Sequence, residues 1–75
     1  MTLPVRILEV IMATVKQNLK RLRKAAGMTQ EQLARRAGLS LGYVQRLEVG
    51  RHDPPVSTLR VLAKALGVKV AKLLE

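Results

Sequence analysis

Residues 29–50, TQEQLARRAGLSLGYVQRLEVG, decide the fold, because they contain two short amphipathic segments separated by a glycine turn. Thr29 places a hydroxyl where the free amides of a new helix need an acceptor, and Gln32 follows three residues later as in a capping box. Gly38 ends the helix that begins here, so the helix is about two turns long. Its inward face carries three apolar residues, Leu33, Ala34 and Ala37.

A second short helix is predicted directly after this turn. Ser40 is its candidate N-cap, Val44 and Leu47 lie three residues apart on one face, and Gly50 follows the last turn. Two short helices joined by a glycine-containing turn of about three to four residues are typical of a helix-turn-helix. In that motif the first helix lies across the DNA backbone with its N-terminus at a phosphate, and the second helix enters the major groove.

The sequence on either side of the motif predicts three further helical segments and no convincing strand. The first segment ends near Ala26, since Gly27 takes the position of a left-handed terminator. A loop is predicted over 51–55 because two prolines there cannot lie inside a helix. Gly67 closes the fourth helix, and a final apolar turn or short helix follows. The core is expected from three stripes: Val15, Leu19, Leu22 and Ala26; Leu59, Leu62, Ala63 and Leu66; and Val68, Val70, Leu73 and Leu74.

The N-terminal segment is apolar and ambiguous. Its β-branched residues favour a strand, whereas its charged residues and those that follow, from Arg6 to Lys20, fall roughly along one helical face. We expect a helical N-terminal extension over 1–14 and a helix-turn-helix domain over 15–75. Met12 also resembles a natural start, which leaves open whether the first eleven residues are an addition to a complete domain.

The chain has 75 residues and a mass of 8.3 kDa, which is room for one hydrophobic core. This size excludes most enzymes. The sequence contains no cysteine and a single histidine, so we expect no disulfide, no metal cluster, no cofactor and no catalytic activity. No apolar run approaches the roughly 18 residues of a membrane span. We therefore expect no membrane association and a cytoplasmic location.

The charge balance indicates a polyanionic partner. Fourteen Lys and Arg residues against five Asp and Glu residues give a net charge of +9. The chain has one Tyr and neither Phe nor Trp, so it lacks the aromatic platforms on which RNA-binding and single-strand-binding proteins stack bases. Double-stranded DNA is the better candidate.

The run GMTQEQLARRAGLSLGYVQRLEVGRHDPPVSTLRVLAKALGV, residues 27–68, resembles the Cro and phage-repressor type (XRE-like) helix-turn-helix family. The resemblance covers about residues 15–74 and joins several motifs in order. These are T-Q-E-Q-L-A from Thr29, the turn glycine, R-L-E-x-G from Arg46, the proline loop and T-L-x-x-L-A-K-A-L-G from Thr58. It implies an all-α, five-helix, repressor-like DNA-binding domain that usually acts as a homodimeric transcription regulator.

The resemblance assigns base contacts to the second helix of the motif, at Leu41, Gly42, Gln45 and Arg46. Polar residues are more usual in the family at the first two of these positions. Leu41 therefore either touches a thymine methyl or is a surface leucine. Gly42 reflects either a close approach to DNA or tolerance of a helical glycine, which costs about 1 kcal/mol relative to alanine. Arg46 bonds a guanine edge or a phosphate, or is a solvated surface charge.

Six residues are expected to contact phosphates: Thr29, Gln30, Ser40, Tyr43, Arg51 and His52. The resemblance implies that Gln30 also braces the second helix of the motif, the recognition helix, and that Ser40 caps that helix beside a phosphate. Arg51 and His52 are assigned from their place in the loop after it, and His52 is not expected to bind a metal. The remaining basic residues on helix faces are expected to add to a general positive field: Lys16, Lys20, Arg35 and Arg36.

Glu48 requires a partner, because an acidic residue at the end of the recognition helix opposes both a DNA phosphate and the negative helix terminus. The family places an arginine at the position of Arg23, and the resemblance implies a structural ion pair between the two residues.

The leading hypothesis is a sequence-specific, double-stranded DNA-binding regulator, a repressor in the first instance, that acts as a homodimer on a two-fold operator. The apolar N-terminus and the segment 68–74 are the two candidate dimerisation surfaces. One alternative is an antitoxin or adaptor whose main role is to bind a protein partner through an exposed apolar patch. Another is an accessory or peripheral membrane factor that relies on basic charge alone.

Overall fold

The computed structural model describes the backbone of residues 5–75 and the side chains in that range except those of Val5, Arg6, Leu8 and Glu9. Its helices are α1 Val5–Ala25, α2 Gln30–Ala37, α3 Leu41–Val49, α4 Val56–Leu66 and α5 Val70–Leu74. No strand occurs between residues 5 and 75, and the predicted all-α, five-helix fold is confirmed. Over the same range, none of the helices combines the length and the apolarity that crossing a bilayer requires.

The predicted ends of α2 and α3 are confirmed by their capping groups. The hydroxyl of Thr29 accepts a hydrogen bond from the Gln32 amide at 3.0 Å, and Gln32 Oε1 accepts one from the Thr29 amide at 2.9 Å. Ser40 Oγ accepts from the amide of Tyr43 at 3.1 Å. Gly38 has a φ of 71°, in the left-handed region that favours glycine, so α2 ends where its sequence predicts.

Helix α1 is longer than its apolar pattern predicts. The pattern indicates a helix from Val15, whereas α1 begins at Val5 and continues without a break to Ala25. The helical interpretation of the N-terminal segment is thus confirmed for residues 5–14, and residues 1–4 lie outside the described part of the chain. Because no interruption marks residues 14 and 15, the division into an extension and a domain stays a prediction.

The core lies where the helices converge: α1 packs on α3 and α5, α2 packs on α3 and α4, and α4 packs on α5. Its buried apolar residues are Val15, Leu19, Met28, Leu33, Ala34, Val44, Leu47, Leu59, Leu62, Ala63, Leu66 and Leu73. Two predicted core residues are wrong. Ala26 is exposed because it lies after the last residue of α1, in the turn, and Leu74 is exposed because the preceding residue takes the inward position of α5.

A buried side-chain hydrogen bond connects the two ends of the domain. Asn18 on α1 donates from Nδ2 to the carbonyl oxygen of Leu73 at 3.0 Å. That carbonyl lies at the C-terminal end of α5, where a short helix leaves its last carbonyls without backbone partners. Arg21 Nη2 donates to Asn18 Oδ1 at 3.2 Å and so satisfies the other end of the amide. Asn18 therefore holds α5 against α1.

We expect Asn18→Ala to destabilise the domain by about 1–3 kcal/mol, because it leaves a buried carbonyl without a donor. The matched control is Gln17→Ala, at the neighbouring but exposed position of the same helix, which is expected to change the free energy of unfolding by less than about 0.5 kcal/mol. Urea unfolding of the two variants measures both values. Equal stabilities would contradict the role of Asn18.

Candidate nucleic-acid interface

Helix α3 presents one buried and one exposed side. Val44, Leu47 and Glu48 face the protein interior. On the opposite side Gln45 and Arg46 are exposed, and Leu41 is 40% exposed at the start of the helix. A helix with a polar exposed face that projects from a packed scaffold has the form of a groove-reading element.

A shallow groove runs along the exposed side of α3. Three of its lining residues, Gly42, Gln45 and Arg46, are predicted base contacts, and a fourth, Arg51, is a predicted phosphate contact. The fifth is Val49, which is 60% exposed and which the sequence interpretation missed. Its position four residues after Gln45 places it on the same helical face, and this spacing was the available signal.

Three side chains at the end of this face pack together. The guanidinium carbon of Arg46 lies 5.9 Å from the centroid of the Tyr43 ring, within the range of a cation–π contact. The ring of His52 meets the ring of Tyr43 edge-on, with centroids 5.1 Å apart and planes at 65°. A residue of the loop after α3 is thereby fixed against the helix, beside the predicted phosphate contact Arg51.

Gly42 is not required by the packing of the free protein. An added Cβ would lie 3.6 Å from Nη1 of Arg46, which is ordinary van der Waals distance. Gly50, at the other end of α3, is required by its backbone conformation, because its φ of 79° lies in the left-handed region. An added Cβ there would also lie 2.8 Å from Cδ of Lys16, but that side chain is flexible and can move aside.

The polar residues before α3 are arranged around helix ends. Thr29 and Ser40 each use the side-chain oxygen to accept from one amide in the first turn of α2 or α3, and the other amides of that turn have no intrahelical acceptor. Those amides and the positive ends of the helix dipoles favour an anion at these positions. Gln30 instead turns its side chain inward, where Nε2 donates to Oε1 of Glu48 at 3.1 Å.

The structure places Arg23 and Glu48 in a bidentate ion pair. Arg23 Nε donates to Oε2 at 2.7 Å and Nη2 donates to Oε1 at 3.1 Å, with side chains only 10% and 3% exposed. The remaining guanidinium group Nη1 donates to the carbonyl oxygen of Met28 at 2.8 Å. Together with Gln30, this network joins α1, the turn after it, α2 and α3. It also removes the only acidic residue of α3 from the exposed face.

Comparison with known proteins identifies the family to which this arrangement of helices belongs. A sequence model described as helix-turn-helix matches residues 19–73, which include all of α2, α3 and α4. The chain belongs to the XRE-type helix-turn-helix family of DNA-binding transcription regulators. In this XRE-type domain α2 and α3 are the two helices of the helix-turn-helix motif.

Curated relatives of the XRE-type domain include regulators from bacteria and phage. An HTH-type transcriptional regulator of Sinorhizobium fredii is 48% identical over 59 residues, a match that covers 79% of this chain and 77% of the relative. The immunity repressor protein of Bacillus phage phi105 is 43% identical over 60 residues, which are 80% of this chain but 42% of the repressor. Control protein C.SmaI of Serratia marcescens is 40% identical, over 77% of this chain and 69% of that protein.

Solved structures carry the same helix arrangement. The restriction-modification controller protein C.AhdI of Aeromonas hydrophila is 34% identical, with a TM-score of 0.80 over 83% of this chain and 94% of its own. The hypothetical transcription factor NHTF from Neisseria is 35% identical, with a TM-score of 0.83 over 87% of this chain and 75% of its own.

Proposed function

We propose that this XRE-type protein is a transcription regulator, specifically a repressor, that binds double-stranded DNA with sequence specificity. It acts as a homodimer on a two-fold operator. The observation that carries the proposal is the exposed side of α3, whose side chains line a shallow groove. The buried network around Glu48 holds this helix in place. The net charge of +9 supports a polyanionic ligand. Two similar proteins, named an immunity repressor and a control protein, favour regulation of transcription.

The proposed roles of the exposed residues follow from their positions on α3. Leu41, Gly42, Gln45 and Arg46 would face base edges, and Val49 joins them because it lines the same groove. Arginine bonds guanine O6 and N7, glutamine bonds adenine N6 and N7, and apolar side chains contact the thymine methyl. Base specificity therefore comes from this side of α3.

Phosphate contacts are proposed around the edges of that face. Thr29, Ser40 and the main-chain amide of Gln30 lie at helix N-termini, where an anion is favoured. Tyr43 is half-buried in the first turn of α3, where it contacts Arg46 and His52. Arg51 and His52 are exposed in the loop after the helix. These contacts set the register of the protein on DNA and supply much of the salt-dependent affinity.

Dimerisation is part of the proposal because a single recognition helix reads too few base pairs to select one site. Two copies related by a two-fold axis would place their α3 helices in successive major grooves on one face of the duplex, about 10 base pairs apart or a multiple of that distance. The operator would then be an inverted repeat.

Selection of bound sites from a pool of random duplexes tests the function directly. We expect enrichment of an inverted repeat with half-site centres spaced by whole helical turns. On the enriched duplex, affinity should exceed that for a scrambled duplex by roughly 10³-fold or more. Binding that depends on salt but enriches no sequence would contradict specific regulation and would leave only a general attraction between a basic protein and DNA.

A further inference from the structure

Helix α1 carries an apolar stripe that the rest of the domain covers at one end and not at the other. Ile7, Ile11, Thr14 and Asn18 are spaced by four, three and four residues, so they lie along one side of the helix. Asn18 is 7% exposed beneath α5, Thr14 and Ile11 are half-buried, and Ile7 is 43% exposed. Val10, beside them, is 60% exposed. From Asn18 to Ile7 the burial of these residues therefore decreases.

The cause is the length of α5. Leu73 meets Asn18 through its carbonyl oxygen, and α5 has five residues, which span about 7.5 Å. Ile7 lies eleven residues before Asn18, about 16 Å away along α1. The short helix therefore cannot reach the first two turns of α1.

The uncovered stripe is apolar even at its threonine. Thr14 donates its hydroxyl to the carbonyl oxygen of Val10 at 2.9 Å, so its polar group is satisfied inside the helix. The apolar face of a surface helix normally packs on a neighbouring element. The stripe defined by Ile7, Val10, Ile11 and Thr14, here called the α1 stripe, thus has the character of an unfilled helix-packing surface.

The distribution of charge indicates which partner packs on the α1 stripe. Residues 1–15 contain one arginine and one glutamate, which cancel, so residues 16–75 carry the entire net charge of +9. A second copy of so basic a chain is repelled from most of this surface, and an acidic partner would be drawn to the basic surfaces instead. The neutral apolar end of α1 is where two copies can approach at the smallest electrostatic cost.

We infer that the α1 stripe is the self-association surface of the protein and that its partner is the α1 stripe of a second copy. This inference rests on the proposed homodimer and names the surface that forms it. The area that a contact over about three helical turns buries is small compared with the roughly 1,200 Å² that stable complexes bury. Association of the free protein is accordingly weak and concentration-dependent, and simultaneous binding to two half-sites strengthens it.

Sedimentation equilibrium of the full chain without DNA, over a series of concentrations, tests the surface. We expect the mass of the wild type to rise from 8.3 kDa toward twice that value. Val10→Glu, which brings buried carboxylates into the contact, should raise the dimer dissociation constant at least about tenfold. Val56→Glu is the matched control, since Val56 is 61% exposed on α4, and it should associate like the wild type.

A second variant separates the interface from the folding of α1. Val10→Ala removes apolar bulk and raises helix propensity, so it should weaken association while helix content by circular dichroism stays equal or increases. Val56→Ala is its control. The inference is overturned if the wild type stays monomeric or if Val10→Glu associates as tightly as the wild type. In the first case, binding of anionic phospholipid vesicles through this segment would show that a membrane surface, not a second copy, covers the α1 stripe.

Binding to a single half-site duplex distinguishes failure of the inference from failure of the proposed function. Loss of self-association in Val10→Glu with no sequence preference in any variant would support the surface and refute specific DNA readout. Retained half-site preference in a wild type that never dimerises would support the readout and overturn the surface.

Discussion

Replacing Glu48 with alanine is expected to destabilise the protein by about 3–5 kcal/mol, because it leaves the guanidinium of Arg23 buried without its counter-charge. The same change deprives Gln30 Nε2 of its acceptor. A domain of this size has a total stability on the order of 4–11 kcal/mol. Each lost kcal/mol lowers the melting temperature by roughly 4–8 °C. Thermal unfolding should therefore show a much lower melting temperature, and urea unfolding at low temperature a much smaller free energy of unfolding.

The matched control is an exposed ion pair of the same protein. Glu31 and Arg35 are 3.3 Å apart on α2, with side chains 67% and 79% exposed. Water screens such a pair, and its removal by Glu31→Ala should cost no more than about 0.5 kcal/mol. A similar loss in Glu31→Ala and Glu48→Ala would contradict the importance of burial.

A double-mutant cycle isolates the interaction itself. Arg23→Ala removes the bonds to Glu48 and also the bond to the carbonyl oxygen of Met28, so it should be at least as destabilising as Glu48→Ala. Because each single change leaves an unpaired buried charge, the double variant should lose clearly less than the sum of the two. Strictly additive losses would show that the residues do not act as a pair.

Replacing Arg46 with alanine is expected to weaken binding to the preferred operator by about 1–3 kcal/mol and to relax preference at one position in each half-site. Arg46 projects from the exposed side of α3, and in the free protein its guanidinium rests against the ring of Tyr43. Arg46→Lys retains the charge without the planar fork, so it should recover salt-dependent affinity but not base preference.

Arg51→Ala is the matched control, since Arg51 lines the same groove but follows the helix. It should weaken all duplexes about equally and lower the salt slope by about one unit per site. Titration of each variant against operator and scrambled duplex at several salt concentrations measures both effects. If Arg46→Ala weakens both duplexes equally and leaves sequence preference intact, then Arg46 is a phosphate ligand and the assignment of base readout is wrong.

The helix ends were predictable because the interactions that set them are local. Thr29 and Gln32 cap α2 across three residues, Ser40 caps α3 across three, and Gly38 ends α2 through its own backbone conformation. Residues this close in sequence meet whenever the helix forms. The helical structure of residues 5–14 was expected from the positions of their charged residues, although their β-branched side chains favour a strand. No cap or terminator in that segment marks where the helix begins.

The sequence by itself determined the number of helices, the N-caps of α2 and α3 and the inward position of most of the apolar residues, since each follows from periodicity or from contacts within one turn. The pairing of Arg23 with Glu48 needed the family resemblance as well. Only the tertiary structure decided two features: the bond from Asn18 to Leu73 and the uncovered end of α1. Each depends on which distant helix covers a given face and how far that helix reaches. Asn18 and Leu73 are separated by 55 positions in the sequence, and no local pattern indicates that they meet.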